Sequence, residues 1–264
     1  MSSINQPETV REQYKTADKL KTRISIHEKY STNPTGFANW LFSHYDFSPG
    51  NKILELGCGT GAMWKTKLHV LDESMELTLT DFSENMVCTA RNTLGLDRIS
   101  YGVADIEQIP YADNSFDRVI ANMMLYHVPD LDRGLSEVKR VMKKDGYFYC
   151  ATYGENGIIP YIAGLLKDYG ITDSSNKNFT LQNGYKILKN YFSRIERLDY
   201  EDSLAVTNVD DCLDYIESLT DMSPIMKLGR KTLKEVLENE MTDGVLHVPK
   251  EYGMFVCRKG NNNG

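Results

Sequence analysis

The sequence predicts an α/β fold of the doubly wound type, in which helices cover a parallel sheet. One observation is an apolar run, Ile53 to Leu56, that ends in three glycines at alternate positions, Gly57, Gly59 and Gly61. A second is that strand-like and helix-like segments alternate along the chain that follows. Strands that alternate with helices form parallel sheets with right-handed crossovers.

The glycine turn follows a run that has the length of a buried strand. Glycine adopts backbone angles and permits close approaches that a Cβ forbids, so a ligand could contact the main chain here. In α/β sheets, a turn of this kind after the first strand is the usual site of an adenosine-bearing cofactor. The spacing alone does not identify that cofactor, because Gly57-x-Gly59-x-x-Ala62 also satisfies the dinucleotide-binding pattern.

Length and composition favour a single domain over residues 1–264. The 264 residues are 41% hydrophobic and 25% charged, which suffices for one good core with a modest additional element. The net charge of -7 argues against a broad phosphate-binding surface and therefore against nucleic acid as a partner. These features leave the oligomeric state open.

The composition also bears on the location of the protein and on the redox state of its cysteines. The start, Met1 to Gln13, is polar and carries acid as well as base, and no apolar stretch is long enough to span a bilayer. We therefore expect a cytoplasmic protein without a membrane partner. The cysteines are scattered without a C-x-x-C pair or a neighbouring histidine, which predicts reduced packing thiols and no metal site.

The stretch before the glycine turn, within residues 1–45, predicts two helices. The first covers Val10 to Ile26, which is charged and weakly periodic. The second begins at Asn33-Pro34, where a capping side chain precedes a proline whose missing N–H costs nothing. Its sheet-covering face consists of residues at three- and four-residue spacing: Phe37, Trp40, Leu41 and His44.

Four polar side chains of this stretch have two interpretations. Tyr14, Arg23, His27 and Tyr30 are either ordinary surface and packing residues or part of the site. In the second interpretation, a cationic or phenolic side chain folds over the glycine turn and binds a cofactor carboxylate.

The core segment, residues 50–155, continues with a regular series of elements. A strand over Glu76 to Thr80 ends at Asp81, and Ser83 caps a helix that stops at Gly95. The remaining elements are a third strand over 99–103, a fourth over 116–122, a helix opened by Asp130, a turn at 144–146 and a fifth strand over 147–152.

The acids fall at the ends of two of these strands. Asp81 lies about twenty residues after the glycines, the position from which a carboxylate binds ribose hydroxyls, in NAD enzymes as well. Asp105 ends the third strand beside Ile106, and this pair suits an adenine amino group and the face of the base. The alternatives are a helix N-terminal acid for Asp81 and a turn residue for Asp105.

Four ordered motifs resemble those of class I S-adenosylmethionine-dependent methyltransferases. These motifs are Glu55 to Gly61, Asp81 to Met86, Ala104 to Ile106 and Ile109 to Asp117. They are most similar to the small-molecule branch typified by the ubiquinone and menaquinone biosynthesis enzymes. The resemblance implies a Rossmann-like, seven-stranded, mostly parallel sheet with an antiparallel last strand and helices on both faces.

The same resemblance implies a cofactor site for S-adenosylmethionine. The three glycines would surround its methionine and ribose portion, Asp81 would bind the ribose, and Asp105 with Ile106 the adenine. Asn122 would lie near the sulfonium. Glu55 and Phe82 lie inside these motifs and are assigned to the same site.

The last third of the chain is the least regular. Segments 158–169, 208–219 and 224–241 predict helices, and 195–207 and 245–257 carry alternating strand patterns. By resemblance, residues 245–260 hold the last strands, and the helices of residues 156–245 form a small cap over the substrate.

Two other classes of function compete with a methyltransferase. A nicotinamide dehydrogenase explains the glycines and Asp81 but leaves Asp105 unexplained, and a binding module without catalysis remains open. The acceptor is expected to be a small molecule. Residues 122–125 read Asn-Met-Met-Leu, not the Asn/Asp-Pro-Pro-aromatic motif of relatives that methylate a base or glutamine.

Methyl transfer from a sulfonium needs alignment, and it needs a base only if the acceptor must lose a proton. His127 with its neighbour Tyr126 is the best-placed base, because it follows the fourth strand and histidine titrates in the working range. Tyr153, at the end of the fifth strand, is a second candidate and His27 a third. The alternative for His127 is a packing or capping role before Pro129.

Overall fold

The computed structural model describes residues 17–219, 225 and 227–259. The strands are β1 (Lys52–Leu56), β2 (Glu76–Asp81), β3 (Ile99–Val103), β4 (Phe116–Ile120), β5 (Met142–Tyr153), β6 (Arg194–Val206) and β7 (Leu246–Arg258). The α-helices are α1 (Ala17–Tyr30), α2 (Phe37–Ser43), α3 (Glu84–Leu94), α4 (Leu131–Val141), α5 (Ile158–Leu165), α6 (Gly184–Leu188), α7 (Val209–Ser218) and α8 (Arg230–Asn239).

The strands of the described residues form one seven-stranded sheet. Its order is β3-β2-β1-β4-β5-β7-β6, in which β7 is antiparallel to both of its neighbours and the first five strands are parallel. The predicted sheet is therefore confirmed. The strand order reverses at β1, because β2 and β3 lie on one side of β1 and β4 lies on the other. Ligands of open α/β sheets bind at the carboxyl ends of the strands at such a switch point.

Apolar clusters cover both faces of the sheet, as predicted. On one face, Leu54 and Phe148 pack with residues of α4 and α6. On the other, Ile53 and Tyr149 pack with α2 and α3. The alternation of side chains along each strand divides neighbouring residues between the two faces.

The prediction of strict alternation between strands and helices is wrong at two connections. Residues 57–75 and 104–115, all of which are described, form turns and one 3-10 turn, Leu68–Val70, instead of α-helices. Hydrogen bonds after the glycines span three residues, as from Trp64 N to Gly61 O (3.0 Å), which is the tighter 3-10 pattern. The glycine turn consequently does not lead into a helix.

The predicted turn at 144–146 is part of β5. The strand begins at Met142, and its pairing with β4 shifts from Phe116–Met142 to Arg118–Tyr147. A bulge therefore absorbs the extra residues. The bulge leaves no room for a side chain at Gly146, where a Cβ would lie 3.0 Å from Lys143 O.

The cap is built on an extension of the β6–β7 hairpin. Tyr153, the last residue of β5, pairs with Tyr252, but the hairpin continues to the pair Val206 and Leu246. Helices α1, α5, α7 and α8 pack on this extension in a separate apolar cluster. Because the extension passes the carboxyl end of β5, the cap lies at the edge of the sheet that carries the glycine turn.

Two cap helices differ from their predicted ranges. Helix α5 ends at Leu165, and a separate 3-10 turn, Lys167–Tyr169, follows it. Helix α8 covers the inner part of the predicted 224–241, a segment that lies partly outside the described residues.

The N-terminal helices are also displaced from their predicted limits. Helix α1 continues to Tyr30, and α2 begins at Phe37 rather than at Pro34. Asn33 does not cap the helix, because its Oδ1 accepts a hydrogen bond from Thr35 N (3.0 Å) in a local turn. The segment between the helices is bound to the cap instead, since Asn33 N donates to Asp202 Oδ1 at 3.0 Å.

In the part of the chain that the structure describes, no helix is long and apolar enough to cross a membrane. The same residues include no group of three or more His, Cys, Asp or Glu side chains that could hold a metal ion. All five cysteines are free thiols.

Candidate active site

The glycine turn has the left-handed backbone that its sequence predicts. Gly57, Gly59 and Gly61 have φ of 74°, 55° and 70°. A Cβ on Gly57 would lie 2.9 Å from Met124 Cγ, and one on Gly61 would lie 3.2 Å from Ala90 Cβ. The glycines are therefore required by the fold, and they also leave backbone without side chains at the switch point.

Asp81 joins the end of β2 to this turn. Its Oδ2 accepts a hydrogen bond from Gly59 N (2.9 Å), and its Oδ1 accepts one from Ser83 N (2.9 Å). Burial raises the pKa of the Asp81 carboxyl, against the effect of these backbone donors. Each carboxylate oxygen has more than one acceptor site, so the group retains capacity for ligand hydroxyls.

Glu55 is a buried carboxyl in the middle of the sheet. Its Oε2 accepts a hydrogen bond from Trp64 Nε1 at 2.5 Å. Burial raises the pKa of Glu55 to about 7, with the Trp64 bond opposing the rise and the charge of Asp81 adding to it. The structure therefore places Glu55 beneath the glycine turn, where its first role is to hold the Trp64 side chain.

The predicted adenine residues differ in exposure. Asp105 is exposed after β3, and its Oδ1 accepts a hydrogen bond from Glu107 N (2.9 Å). Ile106 is buried against Gly134 of α4, where an added Cβ would lie 3.5 Å from the Ile106 side chain. Phe82 is half-buried directly after β2.

Asn122 follows β4 and is buried. Its Nδ2 donates to Tyr45 Oη at 2.7 Å, and among the described residues its Oδ1 has no hydrogen-bond partner. A buried amide oxygen of this kind is costly unless a ligand or water satisfies it. Sequence reasoning missed Tyr45, which lies in the segment between α2 and β1 and carries no motif.

The three predicted catalytic residues meet at the carboxyl ends of β4 and β5. The ring centroid of Tyr126 lies 4.5 Å from that of His127 and 4.6 Å from that of Tyr153. Burial, and secondarily the charge of Arg23, lowers the pKa of His127 to about 4. The imidazole is consequently neutral at pH 7, and it does not titrate in the working range that the sequence predicted for it.

Asn176 holds two members of this aromatic cluster and was not predicted. It accepts a hydrogen bond from Tyr153 Oη through its backbone oxygen (2.6 Å), and its Nδ2 donates to Tyr126 O (2.7 Å). Only the folding of the loop before α6 over β4 and β5 brings it there. Asparagines in a polar loop are common turn residues, so no signal in the sequence identified it.

His27, one turn after Arg23 on α1, packs on the cap side of the site. The His27 ring centroid lies 6.0 Å from that of Tyr215 and 5.7 Å from that of Tyr252. The Nη2 atom of Arg23 is buried. Burial raises the pKa of Tyr215, and the positive charge of Arg23 opposes the rise.

Tyr30, another N-terminal candidate, is not brought to the glycine turn. Tyr30 Oη donates to Asp211 Oδ2 of α7 at 2.5 Å, which ties α1 to the cap. Tyr14 lies outside the described residues.

This arrangement has two parts. One is a turn with three glycines beside a half-buried carboxylate, at the ends of β1 and β2. The other is a neutral imidazole among tyrosine rings, at the ends of β4 and β5. The first suits a ligand with hydroxyls and a flat base, and the second suits alignment of a second molecule beside it.

One protein family matches the stretch of the chain that holds the first part and, of the second, Tyr126 and His127. Residues 54–150, which hold the glycine turn, Asp81, Asn122 and the strands around them, match the family described as "Methyltransferase domain". S-adenosylmethionine is the methyl donor of this family.

Curated relatives match about half of the chain. The chain is 30% identical over 154 residues to the methyltransferase GfsG of Streptomyces halstedii, which is 56% of this chain and 54% of that protein. It is 33% identical over 125 residues to the demethylmenaquinone methyltransferase of Corynebacterium glutamicum strain R, which is 47% of this chain and 50% of that protein. The chain thus spans about half the length of these curated relatives.

A solved structure extends the likeness of the fold to nearly the whole chain. The cyclase SpnF matches with a TM-score of 0.59 and 17% sequence identity, covering 96% of this chain and 97% of that one. Residues 54–150 thus match a methyltransferase family, and the sheet order and the site geometry around them agree with that match.

Proposed function

We propose that this protein transfers a methyl group from S-adenosylmethionine to a small-molecule acceptor. The observation that carries the proposal is the hydrogen bond between Asp81 and Gly59, which sets a carboxylate beside bare main chain at the switch point. The family match over the same residues supports it.

The residues present fit this cofactor. The glycine turn accommodates the methionine and ribose portion against main chain, and Asp81 accepts hydrogen bonds from the ribose hydroxyls. Asp105 and Ile106, at the end of the next strand, bind the adenine. The buried Oδ1 of Asn122 offers an acceptor that the described residues leave unsatisfied, next to the strand end where the methionine portion would lie.

The bound cofactor supplies a methyl group that its sulfonium already activates. The protein has to exclude water and hold the acceptor in line with that methyl group. Tyr126 and Tyr153 form one wall of the acceptor site, and Asn176 fixes both of them. His127 takes the acceptor's proton where the acceptor must lose one, because its imidazole is neutral over most of the pH range.

A small-molecule acceptor is supported by the cap, by the charge and by the relatives. The cap covers the carboxyl edge of the sheet. The net charge of -7 disfavours a nucleic-acid partner. The name of the demethylmenaquinone methyltransferase describes a small-molecule acceptor for that relative.

The fold itself does not determine the reaction, since the cyclase SpnF shares it. The proposal is tested by incubating the full chain with methyl-labelled S-adenosylmethionine and panels of small phenols, amines and carboxylic acids. Labelled product together with S-adenosylhomocysteine is expected. Calorimetric binding of NADH instead of S-adenosylmethionine would support a dehydrogenase, and cofactor binding without any transfer would support a binding module.

A further inference from the structure

The loop after β3, residues 104–115, is attached to helix α4 along its length. Near the start of the loop, Glu107 Oε1 accepts a hydrogen bond from Asp130 N, the N-cap of α4, at 2.9 Å. Near its end, Asn114 N donates to Arg140 O in the last turn of the helix at 3.0 Å. Helix α4 therefore serves as the support on which this irregular segment is laid.

The side chain of Arg140 makes the central contacts between the two. Its Nε and Nη2 donate to the two carboxylate oxygens of Glu137 at 2.7 and 2.8 Å. Its Nη2 also donates to Ile109 O (2.9 Å), and its Nη1 donates to Tyr111 O (2.7 Å) and to Asp113 Oδ1 (2.9 Å). A guanidinium has five N–H groups, and each of them thus has an acceptor within the described residues.

Glu137 completes this arrangement. Its Oε2, which accepts from Arg140, also accepts from Ile109 N at 2.9 Å. Ile109 is 3% exposed, so both polar groups of its main chain are bonded to side chains of α4 inside the protein. A planar, rigid fork can reach several fixed acceptors at once, whereas a lysine ammonium cannot reproduce that geometry.

The anchored residue Ile109 directly follows the turn that carries Asp105. Gln108 N donates to Asp105 O at 3.0 Å, and Glu107 N donates to Asp105 Oδ1 at 2.9 Å. These bonds make residues 105–108 a closed unit that moves as one. The position of the exposed Asp105 carboxylate is consequently set by where α4 holds the far end of the turn.

We propose that Arg140 is a positioning residue of the cofactor site, which holds Asp105 and Ile106 where they recognise the adenine base. Its own donors are all used within the protein, so it acts through the loop and not on the ligand. A carboxylate accepts from the 6-amino group of adenine but not from an oxygen in that place, and hydrogen bonds weaken steeply when an acceptor is displaced. This inference rests on the proposed function and deepens it, because it makes the preference for adenine depend on Arg140.

The test is calorimetry on the full chain with two ligands that differ at one position of the base. S-adenosylhomocysteine carries the 6-amino group, and S-inosylhomocysteine carries an oxygen there. We expect the wild type to bind S-adenosylhomocysteine at least about tenfold more tightly. Arg140→Gln should weaken S-adenosylhomocysteine binding about tenfold and reduce the preference between the two ligands to about threefold or less.

The preference separates positioning from a general effect on stability, because partial unfolding weakens both ligands by the same factor. Arg140→Lys keeps a cation beside Glu137 and Asp113 but lacks the planar fork, so it should lose the preference as Arg140→Gln does. It decides the question if Arg140→Gln does not fold. Arg133→Gln removes an exposed cation about two turns earlier in α4 and should change neither affinity.

Three results would overturn the inference. One is a wild type that binds both ligands equally, because the loop then does not recognise the 6-amino group. Another is a folded Arg140 variant that retains the wild-type preference, whether its affinities are unchanged or reduced together. The third is loss of the preference in Arg133→Gln as well. A wild type that fails to bind S-adenosylhomocysteine would instead contradict the proposed function, which is a separate result.

Discussion

The Oδ2 atom of Asp81 accepts a hydrogen bond of 2.9 Å from the backbone N–H of Gly59. This bond links the end of β2 to the turn after β1, the strand beside it in the sheet. The bond therefore holds the carboxylate in a fixed position relative to the main chain of the turn. Preorganisation of this kind reduces the ordering that binding has to impose.

The first prediction concerns the glycine turn. Gly61→Ala should destabilise the protein by about 2 kcal/mol or more, because a residue with a Cβ is strained at φ 70° and the Cβ would lie 3.2 Å from Ala90. Gly95→Ala is the matched control, since Gly95 has φ 60° and no atom within 4 Å of an added Cβ. Gly95→Ala should lose only the free energy of unfolding that backbone strain costs, about 1 kcal/mol. Urea denaturation compares them, and equal losses would show that contact with α3 is unimportant.

The second prediction concerns the buried ion pair of the cap. Asp202→Asn should destabilise the protein by about 3–5 kcal/mol, because it leaves the ammonium of Lys250 buried without a counter-charge. Asp199→Asn, on the same strand, breaks only an exposed pair with Arg197 and should cost less than about 1 kcal/mol. Chemical denaturation of both variants gives the comparison. Similar losses would mean that the buried pair contributes no more than a surface pair.

The same pair predicts a pH dependence. Burial opposes the charge of Asp202, but hydrogen bonds from Lys250 and Ser31 outweigh it and lower the pKa of Asp202. The native state therefore binds this proton less readily than the unfolded chain does. The stability that Asp202 contributes is complete above its unfolded pKa of about 4 and is lost as the pH falls through the lower native value. The wild type and Asp202→Asn should therefore have similar free energies of unfolding at pH values below the native pKa of Asp202.

The third prediction concerns His127. His127→Ala should leave the affinity for S-adenosylmethionine nearly intact and lower turnover by on the order of a hundredfold, if the acceptor loses a proton. Because burial lowers the pKa of His127 to about 4, the acidic limb of the pH–rate profile should lie near pH 4 and disappear in the variant. A loss of less than about threefold would mean that the enzyme works by alignment and that His127 is structural.

His127 also affects stability in a definite direction. Its native pKa of about 4 lies below the value of about 6.5 expected in the unfolded chain, so protons favour the unfolded state. Its contribution should increase as the pH rises from about 4 to 6.5 and remain constant above that range. His127→Ala should flatten this part of the stability profile.

Local chemistry explains which parts of the fold the sequence predicted. Gly95 ends α3 in the left-handed conformation, and Asp130 caps α4 through Arg133 N, as each residue type favours by itself. Asp81 could be placed because a strand end and a glycine turn at the right spacing imply adjacency in a parallel sheet. These signals depend on neighbours in the sequence.

Other features depend on distant contacts and were missed. Asn33 was predicted to cap α2, but its amide closes a local turn and its N–H binds Asp202, which lies far along the chain. Tyr45 and Asn176 reach the site only through the fold, and neither belongs to a motif. The positions of Arg23 and His27 likewise depend on the docking of α1 against the cap.

The central claim is that S-adenosylmethionine binds at the glycine turn with its ribose on Asp81. Calorimetric titration of S-adenosylmethionine into wild type and Asp81→Asn tests it most directly, with the exposed Asp97→Asn as control. Asparagine preserves the shape of the side chain but keeps only one of the two oxygens that accept from Gly59 N and Ser83 N, so the thermal unfolding of the variant is compared with that of the wild type first. We expect the variant to lose about 2 kcal/mol of binding free energy, because charge-assisted hydrogen bonds to the ribose are removed, and the control to lose none. Unchanged affinity in Asp81→Asn, or no binding to the wild type, would contradict the account.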